Sequence, residues 1–164
     1  GTNFTPYVKL LGPHGLGIPH VILTDRDPNG ENPPFVRRRL IKVLKLLEDE
    51  VDYAALDADA VIARAEPFGY FVNGATLEAE LFTGGLAEAM QEVIEQELAI
   101  NQATRNRIQS WVDDPDILDK DRLIALIERI GKGRFAQTLA PRVSKETCPD
   151  YIRKALEHIR NALA

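Results

Sequence analysis

Two β-rich runs in this chain each drive into a polar end, and each is followed by an amphipathic helix. That repeated order restricts the fold more than any other feature. The first run, Ile18 to Thr24, reads as a buried strand ending at Asp25 and Asp27, ahead of a Pro/Asn/Gly loop from Pro28 to Pro34. After the loop, Val36, Leu40, Val43, Leu44 and Leu47 form one apolar stripe, with Arg37, Arg38, Arg39, Lys42 and Lys45 largely off it. The second run, Phe68 to Asn73, leads to Thr76, a residue suited to cap a helix beginning Leu77-Glu78-Ala79-Glu80-Leu81. Strand, polar loop and amphipathic helix in sequence predict α/β layer packing. Two strands are too few for a proper sheet. Either more strands lie before Gly1, or a segment that reads as helix conceals one.

The rest of the chain reads as helical. Phe4 to Leu11 fits a short helix before the Gly12-Pro13-His14-Gly15 break. Beyond Gly84-Gly85, one stripe is Leu86, Met90, Val93, Ile94 and Leu98, and another is Leu123, Leu126, Ile127 and Ile130. A third is Ile152, Leu156, Ile159 and Leu163. No repeat or low-complexity linker interrupts them. At 164 residues, 1–164 is expected to be a single domain with a largely helical part at about 84–130.

Composition narrows the chemistry. Net charge is −5, so the surface as a whole does not announce a nucleic-acid binder, although metal ions can offset an acidic site. One cysteine, Cys148, excludes an internal disulfide framework. The three histidines, His14, His20 and His158, show no metal-ligand spacing, which argues against zinc and leaves oxygen-ligated magnesium, manganese or calcium. No apolar run approaches the ~20 residues needed to span a bilayer, and there is no signal peptide. A start at Gly1 without methionine reads as a piece of a longer, intracellular chain.

Asp25 and Asp27 would sit at the carboxyl end of a strand, where open α/β sheets place their ligands. Two like charges this close need something positive between them, or water. If the backbone stays extended, both carboxylates point to one side and can grip one ion; a solvated Asp-Arg-Asp-Pro turn is the other reading. On a helix started by Thr76, Leu77 and Leu81 share the buried face and Glu78 and Glu80 fall about 80° to either side. Each glutamate then lies at the border of core and solvent, free to serve a different ion or simply to favour the positive end of the helix. Lys132, between Gly131 and Gly133, is expected to have a mobile, accessible backbone suited to meeting a phosphate. Gly131 is expected to end the helix that runs through Ile130. The Walker spacing of a P-loop is absent.

Gly1-Thr2-Asn3-Phe4, the strand into Thr24-Asp25-Arg26-Asp27, Asn73-Gly74-Ala75-Thr76-Leu77-Glu78-Ala79-Glu80-Leu81, and Gly131-Lys132-Gly133-Arg134-Phe135-Ala136 occur in that order. Together, over nearly the whole chain, they resemble the C-terminal Toprim nuclease region of the OLD (overcoming lysogenization defect) endonucleases. The resemblance implies a Toprim-like (Rossmann-like) α/β fold: a parallel sheet core with an inserted or appended helical region, its first strand missing here. It implies an Mg2+- or Mn2+-dependent endonuclease that hydrolyses DNA phosphodiesters with two ions. Asp25, Asp27, Glu78 and Glu80 match the metal ligands, with Asp25 and Glu78 also counted as catalytic, and Lys132 matches the residue that stabilises charge at the scissile phosphate. A Toprim site also uses a glutamate from an early Glu-Gly motif, which this chain lacks; that residue is expected before Gly1.

The same resemblance implies an N-terminal ABC-type ATPase in the same full-length chain, which alone would use ATP, together with dimerisation, a prokaryotic cytoplasmic location and roles in phage defence or DNA repair. The expected mechanism is an in-line phosphoryl displacement clamped by two ions roughly 3.5–4 Å apart, with Lys132 as a point charge on the transition state. Arg37, Arg38 and Arg134 are candidates for DNA contacts, although charges along a helix are ordinarily its solvated face. Two rivals stay open. One is a non-catalytic Toprim docking or oligomerisation module, favoured by the missing glutamate. The other is a haloacid-dehalogenase-like phosphatase, with Asp25 as nucleophile and Lys132, Asp113 and Asp114 in support.

Overall fold

The computed structural model describes residues 3–26, 35–48 and 51–164. Asp27 and the loop from Pro28 to Pro34 lie outside the described residues. Two compact units account for the chain: Gly1–Thr76 with Asp150–Ala164 (unit 1), and Leu77–Pro149 (unit 2). Unit 2 is therefore spliced into unit 1 between Thr76 and Asp150.

Unit 1 contains α1 (Thr5–Leu11), β1 (Ile22–Thr24), α2 (Phe35–Leu44), α3 (Ala58–Ala65), β2 (Tyr70–Val72) and α9 (Asp150–Leu163). β1 and β2 pair in parallel, Ile22 opposite Tyr70, Leu23 opposite Phe71 and Thr24 opposite Val72. Among the described residues this pair is the whole sheet, so the protein is mostly helical with a small parallel α/β centre. None of the segments that read as helix hides a further strand there.

Both strands are shorter than their sequence runs. Pro19 has no N–H to donate, and Ile18 N–H donates back to Leu11 O at 2.8 Å, so pairing starts only at Ile22, whose N–H reaches Gly69 O at 2.8 Å. Nor is β1 buried on both faces as its apolar run predicts: Thr24 is buried, but Leu23 is exposed. Upstream of β2, Glu66–Phe68 form a 3-10 turn closed by Gly69 at φ +84°. A Cβ on Gly69 would stand 2.8 Å from His20 O, so a larger residue is excluded both by conformation and by the close passage of the chain leading into β1.

Val36, Leu40, Val43 and Leu44 of α2 are buried with Val8, Tyr53, Val61, Ala65 and Tyr70 in one core. Each of the larger side chains contributes about 1.5–3 kcal/mol of burial. The Tyr70 hydroxyl lies in this core without a hydrogen-bond partner among the described residues, and burial pushes its pKa far above the usual tyrosine value. Tyr70→Phe is accordingly expected to stabilise the fold by about 1 kcal/mol, seen as a higher urea midpoint at unchanged slope.

α9 turns a different face inward from the one its leucines suggest. Ala155 is buried and Ile152, His158 and Ile159 are half-buried, whereas Leu156 is 59% and Leu163 71% exposed. The inward face runs along Ile152, Ala155 and Ile159, and His158 meets Phe71 of β2 edge to face at 5.8 Å between ring centroids. A small residue at the centre of that face lets the helix approach the sheet closely, which a leucine there would prevent.

Unit 2 is helical throughout its regular structure: α4 (Leu77–Leu81), α5 (Ala87–Glu97), α6 (Gln102–Asp113), α7 (Lys120–Ile130) and α8 (Lys132–Leu139). Its core holds Leu86, Met90, Val93 and Ile94 together with Ile108, Trp111, Leu123, Leu126, Ile127, Phe135 and Leu139. Side-chain oxygens cap α6 and α7, Asn101 accepting from Thr104 N–H and Asp119 from Arg122 N–H. Gly131, at φ +94°, ends α7 and its N–H reaches Ile127 O at 2.9 Å. No described helix is long and apolar enough to cross a membrane.

Candidate metal centre

The carboxyl end of β1 is held by two side chains that the sequence does not single out. Arg39, on α2, is buried, and its Nη1 donates to Thr24 Oγ1 at 2.8 Å while Nη2 reaches Asp25 O at 3.3 Å. It is not on the solvated face to which the apolar stripe of α2 assigned it. Asn73, immediately after β2, is 2% exposed and uses both ends of its amide. Its Oδ1 accepts from Arg26 N–H at 2.9 Å, and its Nδ2 donates to Asp25 Oδ1 at 2.5 Å. Its own N–H continues the ladder to Thr24 O at 3.3 Å.

These contacts fix the direction of Asp25. An amide side chain can accept from a backbone N–H with its oxygen and donate to a carboxylate with its nitrogen at once. Asp25 is exposed and its second oxygen makes no bond among the described residues, so it presents a fixed anionic oxygen to solvent. The neighbouring Arg26 is turned away into an ion pair with Asp59.

In unit 2, α4 carries Glu78 and Glu80 in its first turn. Ala79, rather than Leu77, is the buried centre of this helix; Leu77 is 38% exposed. Flanking Ala79, both glutamates are half-buried, and a Glu78 oxygen lies 3.4 Å from Lys132 Nζ. Lys132 is also 3.9 Å from Glu128, one turn earlier. The backbone at Lys132 is not a mobile glycine loop: Gly131 N-caps α8, and Lys132 and Gly133 are its first helical residues. The side chain is 57% exposed and lies within reach of both carboxylates.

The remaining candidates have defined partners. Arg37 spends its donors on Leu56 O at 2.8 Å and Tyr53 O at 2.7 Å, bracing the 3-10 turn Tyr53–Ala55. Arg38 is exposed, its guanidinium carbon 5.2 Å from the Phe35 ring centre. Arg134 pairs with Glu97 at 2.6 Å. Asp113 accepts from Gln109 Nε2 within α6, and Asp114 accepts from Asp116 N–H, capping the 3-10 turn Pro115–Ile117.

Taken separately, Asp25 in unit 1 and Glu78 and Glu80 in unit 2 each offer carboxylate oxygens, the kind of ligand preferred by magnesium and manganese. Among the described residues no three His, Cys, Asp or Glu side chains gather closely enough to form a complete cage.

No protein-family model matches the chain, and no match is found among curated proteins. Solved structures do match. The C-terminal region of the OLD protein of Xanthomonas campestris pv. campestris, phased with mercury, is 66% identical, with 99% of this chain covering 78% of that one at a TM-score of 0.88. The C-terminal region of the Burkholderia pseudomallei OLD protein is 54% identical, with 100% of this chain covering 80% of that one at 0.94. The chain belongs to the OLD family. It corresponds to most of the OLD C-terminal region, and its fold is that of the solved OLD regions.

Proposed function

We propose that this OLD region is the Toprim-type catalytic part of a metal-dependent endonuclease acting on DNA phosphodiesters. One observation carries the reading: an exposed Asp25 carboxylate, oriented by the buried Asn73 at the carboxyl end of a parallel strand, in a chain 66% identical to an OLD C-terminal region. Asp25, Asp27, Glu78 and Glu80 would hold magnesium or manganese. The ions, when bound, supply Lewis acidity at the phosphoryl group and lower the pKa of a bound water.

The chain's own residues have separate tasks. Asn73 keeps one Asp25 oxygen engaged, leaving the other for a cation. Arg39 holds the Thr24 hydroxyl and the Asp25 carbonyl, which braces the end of β1. Glu78 pairs with the Lys132 ammonium at 3.4 Å. Lys132, exposed and flexible, exchanges that carboxylate for a phosphate oxygen and neutralises charge there as a compact cation. The ATPase in the same full-length chain, dimerisation and a role in phage defence or DNA repair belong to the same proposal.

The test is calorimetric titration with manganese, alongside nicking of supercoiled plasmid, using a chain extended to the length of the solved OLD C-terminal regions. Saturable manganese binding and nicking abolished by EDTA are expected. Nicking that persists undiminished in EDTA would refute the metal-dependent reading, and absence of both binding and nicking would favour the docking module.

A further inference from the structure

A groove of about 210 Å³ in unit 2 is lined by Thr104, Arg107 and Trp111 of α6 and by Arg122, Ala125, Leu126 and Arg129 of α7. Helical spacing explains the lining. Thr104, Arg107 and Trp111 follow one another at three and four residues, as do Arg122, Ala125 and Arg129, so each helix contributes one stripe. Trp111 and Leu126 are buried and form an apolar floor, while the three arginines are exposed.

The arginines are unusual in their surroundings. Acidic residues outnumber basic ones in unit 2, and its other arginines are matched: Arg105 with Glu95 at 3.8 Å, Arg134 with Glu97 at 2.6 Å and Arg142 with Glu92 at 3.0 Å. Arg122 pairs with Asp119 at 3.2 Å. Arg107 and Arg129 have no ion-pair partner among the described residues. Two unmatched guanidiniums, and a third whose one carboxylate leaves donors to spare, face one groove.

We infer that this groove binds phosphate groups of a nucleic-acid backbone. Arginine forks pair with phosphate oxygens two at a time, the Thr104 hydroxyl can donate to a further oxygen, and the apolar floor accepts the sugar edge. Arg122 and Arg129, seven residues apart, are separated by about 10.5 Å along the helix, room for separate phosphates. An isolated inorganic anion would need only one of them. The choice of nucleic acid over an acidic polypeptide rests on the proposed function.

The test is fluorescence anisotropy of labelled duplex and single-stranded DNA with the extended chain in EDTA, across a salt series, so that cleavage does not enter. The Arg107→Glu/Arg129→Glu pair is expected to weaken DNA binding by about tenfold or more and to reduce the salt slope by about 1.8, two phosphate contacts' worth. Arg107→Gln/Arg129→Gln should give the same direction with a smaller loss. Thermal melting checks the fold. Unchanged affinity and slope in both variants overturn the inference, as does a loss seen only for a polyglutamate probe. Because the readout is metal-free, it stands or falls separately from metal-dependent nicking.

Discussion

Asp25→Ala is expected to lower the rate of metal-dependent plasmid nicking by on the order of 10³-fold, the several kcal/mol that a bound metal contributes to such a transition state. The carboxylate is exposed, and Asn73 is its side-chain partner among the described residues. Its loss takes the acceptor from the buried Asn73 amide, so stability should fall by about 1–3 kcal/mol while the variant stays folded. Initial rates at saturating manganese, measured in the extended chain with a melting curve on the same sample, decide the matter. Nicking at the normal rate in a folded variant would remove Asp25 from the chemistry.

Asn73→Ala should have a smaller effect of a different kind. The variant keeps every carboxylate but releases Asp25 and the Arg26 N–H. Groups that orient a metal ligand are typically worth 10–100-fold in affinity or activity. The expected signature is a rise of that size in the manganese concentration giving half-maximal nicking, with the rate largely restored at high metal. Asn73→Asp should be worse, because it sets a second negative oxygen against Asp25 and removes the N–H that bound it. Some stability is lost as well, about 1–3 kcal/mol for leaving a buried group unpaired. If both variants keep the wild-type metal dependence, Asn73 is only a structural peg.

The elements were legible where the cause is local. Apolar periodicity in α2, α5 and α7 corresponds to the buried residues there, and the two β-rich runs are the two strands of the sheet. Strand length was not legible, because it depends on Pro19 and on the close approach of Gly69 to His20, and the latter is a meeting of distant residues. The same holds at Asp25. Its holder Asn73 is 48 residues away, and Arg39 reaches back 15 residues to Thr24. By sequence pattern Asn73 is a strand terminator and Arg39 a solvated charge, and only the parallel pairing of β1 with β2 makes them neighbours of the acid. Lys132 misled in the other direction: flanking glycines suggest freedom of the backbone, yet Lys132 and Gly133 open a helix and the exposed ammonium pairs with Glu78 and Glu128. On α9, hydropathy favoured Leu156 over Ala155, while close packing favoured the smaller residue.

The splice between Thr76 and Asp150 has a consequence for biosynthesis. Unit 2 is one unbroken stretch and can fold as soon as it leaves the ribosome. Unit 1 must wait, since α9, whose His158 meets Phe71 edge to face, is translated after unit 2. A nascent chain halted before Asp150 would hold a finished helical insert on an unfinished host, its sheet bare on the side that α9 covers.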